Sequence, residues 1–238
     1  MRASLLIAIV ALLLLFAAIG VALTFTGSTT GSAATTGSAS TSSGLGTGLG
    51  IDMNPNSALV QQGGNANFTV SVINPNVVLG TFPISVQGPP GLTFSVNPGA
   101  VLFSSSGSSE SVNLQVTAPK GVPPGNYPAT IVGKGPTQTF NATVTFHVVQ
   151  YLIPLNPANF GSTVNLTVKV GSQVTWISLF NQFTDNSPGT PMVVIQNTAS
   201  SPSLSQYQDW SYVFTTPGTY NYSEPVVHLV QGTITVTP

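Results

Sequence analysis

The chain has 238 residues, of which only four are Lys or Arg and five are Asp or Glu, giving a net charge of −1. An ordinary globular composition is about 25% charged; here the figure is 4%, with no cysteine and two histidines. So few cations cannot neutralise a phosphate backbone, which excludes nucleic acid as a partner. The missing cysteines exclude a disulfide framework, a thiolate metal site and a thiol nucleophile. A hydrophobic share of 42% excludes a wholly disordered chain. Carboxylates that must protonate in acid are a main source of acid denaturation. A chain with so few of them is expected to tolerate acid, as an extracytoplasmic protein of an acidic habitat would need to.

Residues 4–25 form an uncharged, apolar stretch behind Arg2. A helix needs about 20 such residues to span the hydrocarbon layer, and the positive end stays inside. The stretch reads as an N-terminal membrane anchor or as a signal peptide. A cleaved signal has a shorter core of about 7–15 residues, although Gly20-Val21-Ala22 offers a cleavage site. A pilin-type leader cut at Ala3 is a third reading. All three carry the rest of the chain to the extracellular face of the membrane. Residues 26–44 are only Thr, Gly, Ser and Ala, so residues 26–50 are expected to be a disordered, O-glycosylatable stalk.

From Ile51 onward the pattern is one of strands. Phe68, Val70 and Val72 alternate with Asn67, Thr69 and Ser71; Val112, Leu114 and Val116 alternate with Ser111, Asn113 and Gln115. The longest run is Phe140-x-Ala142-x-Val144-x-Phe146-x-Val148. Alternation with period two marks strands with one buried face, and Pro-Pro-Gly at 89–91 and 123–125 marks turns between them. The expected fold class is all-β, as two tandem β-sandwiches over 51–150 and 151–238. Only Gln150 separates the two patterns, which points to a stiff junction.

The first segment resembles the immunoglobulin-like domains of bacterial and archaeal surface proteins. The resemblance rests on Val60-Gln61-Gln62-Gly63-Gly64 before the Phe68 strand, on Pro90-Gly91-Leu92-Thr93-Phe94-Ser95, on the Val112–Val116 strand, and on Pro124-Gly125-Asn126-Tyr127. It implies a fold more than a function. The second segment resembles cupredoxins, the blue-copper fold. Val168-Lys169-Val170-Gly171-Ser172-Gln173-Val174-Thr175-Trp176-Ile177 is similar to an early strand of that family. Trp210-Ser211-Tyr212-Val213-Phe214, Pro217-Gly218-Thr219-Tyr220-Asn221-Tyr222 and Gly232-Thr233-Ile234-Thr235-Val236 are similar to its late strands.

Cupredoxins hold copper through two His, one Cys and a weak axial Met. The resemblance places the family's Cys at Glu224, its second His at Val227 and its Met at Val230. The stretch from Ser178 to Asp185, where the first His would stand, has none. His228 is one residue out of register, and one step turns a strand side chain to the other face. Blue-copper electron transfer is therefore excluded for want of a thiolate. Glu224, His228 and Met192 are the candidates for a residual non-blue site, against a metal-free domain as the main expectation.

No Gly-x-Ser-x-Gly, His-Glu-x-x-His or phosphate-loop motif is present. His147 falls opposite the apolar phase and reads as a solvated strand histidine. The pairs Asp52–Glu110 and Asp185–Asp209 read as solvated loop carboxylates rather than glycosidase acids. Trp176, Trp210, Tyr207, Tyr212, Tyr220 and Tyr222 read as core more than as a sugar platform. Asn67, Asn141, Asn165 and Asn221 head Asn-x-Ser/Thr sequons and are the expected glycosylation positions.

These readings add up to a non-catalytic cell-surface protein with no cofactor, structural or adhesive in role. Its expected partners are the membrane through residues 4–25 and other surface proteins or copies of itself. One alternative is a module binding a glycan or peptide through loops 179–190 and 223–231. Another is a filament subunit assembled by strand addition, suggested by the scarcity of edge lysines, and a third is a copper or electron-transfer protein, which the absent cysteine makes remote.

Overall fold

The structure is a computed structural model that describes residues 50–54, 58–74, 78–104, 109–135, 139–181 and 189–238. The expected anchor, the stalk up to residue 49, and the stretch 182–188 with Asp185 lie outside the described residues. Among the described residues the regular structure is nearly all strand, with one short 3-10 helix at Pro157–Asn159. Among them no helix is long and apolar enough to cross a membrane.

The first sandwich faces a four-stranded sheet against a five-stranded one. The first sheet runs β1 (Gly50–Asn54), β3 (Gly64–Ile73), β7 (Ser109–Ala118), β5 (Thr93–Asn97), all antiparallel. The second runs β2 (Leu59–Gln61), β9 (Thr139–Val149), β8 (Gly125–Lys134), β4 (Gly80–Gln87), β6 (Ala100–Phe103). The apolar phase of each strand turns inward: Phe68, Val70, Val72, Val112, Leu114, Val116, Ala142, Val144 and Phe146 are all buried. Each such large side chain contributes about 1.5–3 kcal/mol. Phe rings meet across the core, Phe68 with Phe146 at 5.5 Å and Phe82 with Phe103 at 5.8 Å.

The second sandwich faces a three-stranded sheet, β10 (Tyr151–Leu155), β13 (Ser172–Ser178), β16 (Asp209–Phe214), against a larger mixed sheet. The latter contains β11 (Ser162–Thr163) and β12 (Leu166–Lys169), both parallel to β18 (Val230–Thr237). It continues through β17 (Gly218–Ser223), β14 (Val194–Ile195) and β15 (Ala199–Ser200). Trp176 fills the centre, with ring centroids 5.4 Å from Trp210 and 5.4 Å from Tyr222.

Both sandwiches enter their penultimate strand through the same sequence, Pro-Gly-x-Tyr. The Tyr127 hydroxyl donates to the Pro123 carbonyl at 2.7 Å and the Tyr220 hydroxyl to that of Thr216 at 2.9 Å. A side chain that bonds back four residues upstream pins the corner where the chain turns into the strand. At the junction, Leu59, Val149 and Ile177 are buried together, and the Gln173 N–H donates to Oε1 of Gln150 at 3.2 Å. Ile177 is free for this role because Trp176 beside it takes the inward phase.

The parallel ladder between β11, β12 and β18 keeps one register but opens at Val164 and Asn165. There the Val164 carbonyl leans onto Gly232: a Cβ at Gly232 would lie 1.9 Å from that oxygen. The Tyr222 hydroxyl donates to the same oxygen at 2.9 Å, and Oδ1 of Asn165 accepts the Thr233 N–H at 2.9 Å in place of a ladder carbonyl. Only a residue without Cβ fits, since the obstructing atom is backbone. Gly232→Ala is expected to lower stability by about 1–3 kcal/mol, the usual cost of overpacking, read as a lower urea midpoint with unchanged slope.

Candidate functional site

The connection from β17 to β18 is where the cupredoxin resemblance would put three metal ligands. It opens at Glu224 and closes at once, because the Glu224 N–H donates to the Val230 carbonyl at 2.9 Å. Inside this ring Pro225 has no N–H to direct. Val226, Val227 and Leu229 turn theirs toward the Glu224 carboxylate. Oε1 accepts from Val226 at 2.9 Å and Val227 at 3.2 Å; Oε2 accepts from Val227 at 3.0 Å and Leu229 at 3.2 Å. His228 makes this possible by adopting φ 61°, which swings the chain back so that Leu229 also points inward.

A further donor comes from 32 residues upstream, the Met192 N–H, which reaches Oε1 at 3.2 Å. That segment is held in place from its other side. The Ser201 hydroxyl accepts the Val193 N–H at 2.9 Å, and the Leu204 N–H donates to the Pro191 carbonyl at 2.8 Å. Glu224 is 1% exposed. Convergent backbone N–H dipoles form a concavity for an anion, and here the anion is the chain's own side chain. The carboxylate thus ties the 190s segment to the loop before β18.

The candidate residues differ in exposure and in the atoms they offer, although Glu224 and His228 border one cavity. Glu224 is buried, His228 is exposed, and Met192 contributes its backbone rather than its thioether. His228 and Glu224 both border a shallow cavity of about 370 Å³ with Gly161, Pro225 and Gln231, and the His228 carbonyl accepts the Gly161 N–H at 2.9 Å. Val227 and Val230, at the other two ligand positions, are buried aliphatic residues. A carboxylate offers about four lone-pair positions, and the N–H groups of residues 192, 226, 227 and 229 take them up. The buried polar side-chain atoms without a partner among the described residues are Ser162 Oγ, Trp176 Nε1 and Ser178 Oγ, none in this loop. Among the described residues no three His, Asp or Glu stand close enough to share a metal ion. The donor set does not fit a copper centre.

Other readings shift in detail. His147 is half-buried rather than solvated, because β9 lies between β2 and β8, and its Nδ1 is 2.6 Å from Oδ1 of Asn126. Asp209 is 2% exposed on β16, not a solvated loop carboxylate. Asp52 and Glu110 cannot pair: Asp52 sits opposite Ser71 in the outward phase, while Glu110 sits opposite Val72 in the inward phase at the strand end. Trp176, Trp210 and Tyr222 are core, and burial pushes the Tyr222 phenol well above its ordinary range. The four sequon residues Asn67, Asn141, Asn165 and Asn221 are all exposed.

No family model matches the chain, and no curated protein does. Among solved structures it is similar to amicyanin, a cupredoxin. One amicyanin mutant in the Cu(I) form is 24% identical, covering 37% of this chain and 81% of that one, with a TM-score of 0.31. Another Cu(I) mutant is also 24% identical, with the same coverage and a TM-score of 0.30.

Two outcomes follow. Glu224→Gln places an amide NH₂ against backbone donors and is expected to cost about 3 kcal/mol, measured by urea unfolding; a variant as stable as the parent would remove the carboxylate from its anchoring role. Burial lowers the His147 pKa from 6.5, so the folded state binds fewer protons than the unfolded state. Its contribution is complete above pH 6.5 and is lost as pH falls through the lowered value. The stability gap between the parent and His147→Gln is therefore expected to change below pH 6.5 in the direction of a relatively more stable variant.

Proposed function

We propose that this chain is a non-catalytic structural protein of the cell surface, built from an immunoglobulin-like sandwich and a metal-free cupredoxin-like one. The observation that carries the reading is the Glu224 carboxylate. At the position where the resemblance calls for a thiolate, a buried side chain is saturated by backbone donors and holds the two loops together. Loops fixed this way leave the Glu224 oxygens, among the described residues, engaged by backbone donors.

The immunoglobulin-like part is supported by strand order. β1-β3-β7-β5 against β9-β8-β4 follows the A-B-E-D and G-F-C arrangement of that fold, and Tyr127 supplies its tyrosine corner. The departure is β6, which comes after β5 in sequence yet pairs with β4. Exposure at the extracellular face, with the membrane reached through residues 4–25, rests on the sequence alone. The shared buried seam of Leu59, Val149 and Ile177 suits a rigid spacer that presents contacts to other surface proteins or to copies of itself.

Cross-linking on intact cells tests the role. Lys120, Lys134 and Lys169 are exposed and lie in both sandwiches. Amine-reactive reagents that do not cross the membrane are expected to link them to envelope proteins or to other copies. Protection of all three from the reagent until the cells are lysed would end the surface reading. Stoichiometric copper retained after refolding and dialysis would end the metal-free one.

A further inference from the structure

The outward face of the larger sheet in the second sandwich is concave and holds a groove of about 690 Å³. Asn165, Gln196, Asn221 and Thr233 line it beside Val194 and Tyr222, and none of its lining residues is charged. One row of side chains crosses it at a single level. Oδ1 of Asn165 accepts both the N–H and the hydroxyl of Thr233, each at 2.9 Å. Thr233 faces Asn221 in the ladder, and Nδ2 of Asn221 donates to Oε1 of Gln196 at 3.3 Å.

Both asparagines of this row head sequons, Asn165-Leu166-Thr167 and Asn221-Tyr222-Ser223. They stand two inter-strand spacings apart, roughly 10 Å, so two branched groups would compete for one groove. Their amides are not equivalent. Asn165 is fixed through oxygen, which leaves its nitrogen as the atom available for bonding. Asn221 already directs its nitrogen to Gln196. The hydroxyls and amides of this row can donate and accept, which matches the hydroxyls of a neutral sugar and requires no charge to be desolvated.

We propose that Asn165 carries an N-linked glycan whose first sugars lie in this groove across Thr233, Asn221 and Gln196, and that Asn221 stays unmodified. The bond formed joins Nδ2 of Asn165 to the anomeric carbon of the first sugar. The bond broken is that between the same carbon and the phosphate oxygen of a lipid-linked oligosaccharide donor. The lipid phosphate leaves with the bonding pair, and the amide gives up one proton. The proposal rests on the reading that the chain reaches the cell surface through a glycosylating compartment.

The test uses the full chain purified from its own cells. Glycopeptide mapping is expected to find a glycan on the Asn165 peptide and none on the Asn221 peptide. Thr167→Ala removes the sequon without touching the Asn165–Thr233 bonds, and Thr167→Ser retains it. The Ala variant is expected to lose one glycan mass, with amides in residues 194–196, 221–223 and 231–233 exchanging at least several-fold faster; the Ser variant keeps the parent mass and protection. A bare Asn165, a glycan on Asn221, or loss of the Asn165 glycan with unchanged exchange overturns the proposal. Glycans on Asn67 or Asn141 with a bare Asn165 would overturn this inference while leaving the surface reading intact; a chain found inside the cell and without any glycan would end both.

Discussion

The second sandwich depends on a buried carboxylate that is held, among the described residues, by backbone N–H groups. Removing a carboxylate from water costs several kcal/mol even after relaxation, and charge-assisted bonds return roughly 1.5–3 kcal/mol each. The backbone around Glu224 is arranged to supply enough of them. Pro225, with no N–H, leaves none to be satisfied at its position. His228 accepts a left-handed conformation so that Leu229 can contribute, and the side chains of Val227 and Leu229 are driven into the core on the opposite side. Each of these features is ordinary alone; together they follow from one requirement, that four N–H groups meet two oxygens. A metal ion would meet that requirement in reverse, as a cation gathering anionic and neutral ligands from separate loops. Here the anion is covalently part of one loop and the positive poles come from both.

Much of the fold was legible because alternation carries it. The phases of Phe68–Val72, Val112–Val116 and Phe140–Val148 are the buried phases in the structure, since a one-residue slip would turn each whole set to solvent. The two Pro-Gly-x-Tyr corners are also visible as sequence. Glu224 could be placed at a ligand position by counting back from Gly232. What the carboxylate does there could not, because its partners are backbone groups, and backbone N–H groups look alike in every sequence. The same limit explains Met192, which matters through its main chain. It also explains Asn165, whose oxygen stands in for a ladder carbonyl where Gly232 lets the neighbouring strand lean in. Asp209 and His147 were misjudged for a different reason: exposure on a strand depends on which neighbours flank it, and neighbours come from the topology.

The scarcity of charge costs the surface little. An exposed ion pair is worth about 0–1 kcal/mol, and a cross-strand pair of hydroxyls or amides contributes in the same range. Such pairs recur on the outer faces: the hydroxyls of Ser71 and Ser111 at 3.2 Å, Gln115 donating to Asn67 at 3.2 Å, and the row from Asn165 to Gln196. Neutral pairs are indifferent to ionic strength, which screens exposed charges beyond about 8 Å at physiological salt. A surface made this way keeps its cohesion when the medium changes, and it leaves broad neutral faces on which sugars can lie.

The acidic residues complete that logic. Asp52 and Glu110 are exposed, whereas Asp209 and Glu224 are buried, an unusual share for carboxylates, which are rarely inside unless paired. The buried Glu224 carboxylate is used for geometry. Neutral side chains can knit a sheet, because the ladder already fixes their spacing. They cannot gather N–H groups from two separate segments, because a single amide oxygen accepts fewer bonds and its own NH₂ would face donors. Glu224 is the side chain that does this, gathering the N–H groups of residues 226, 227 and 229 from its own loop and that of Met192 from 32 residues upstream.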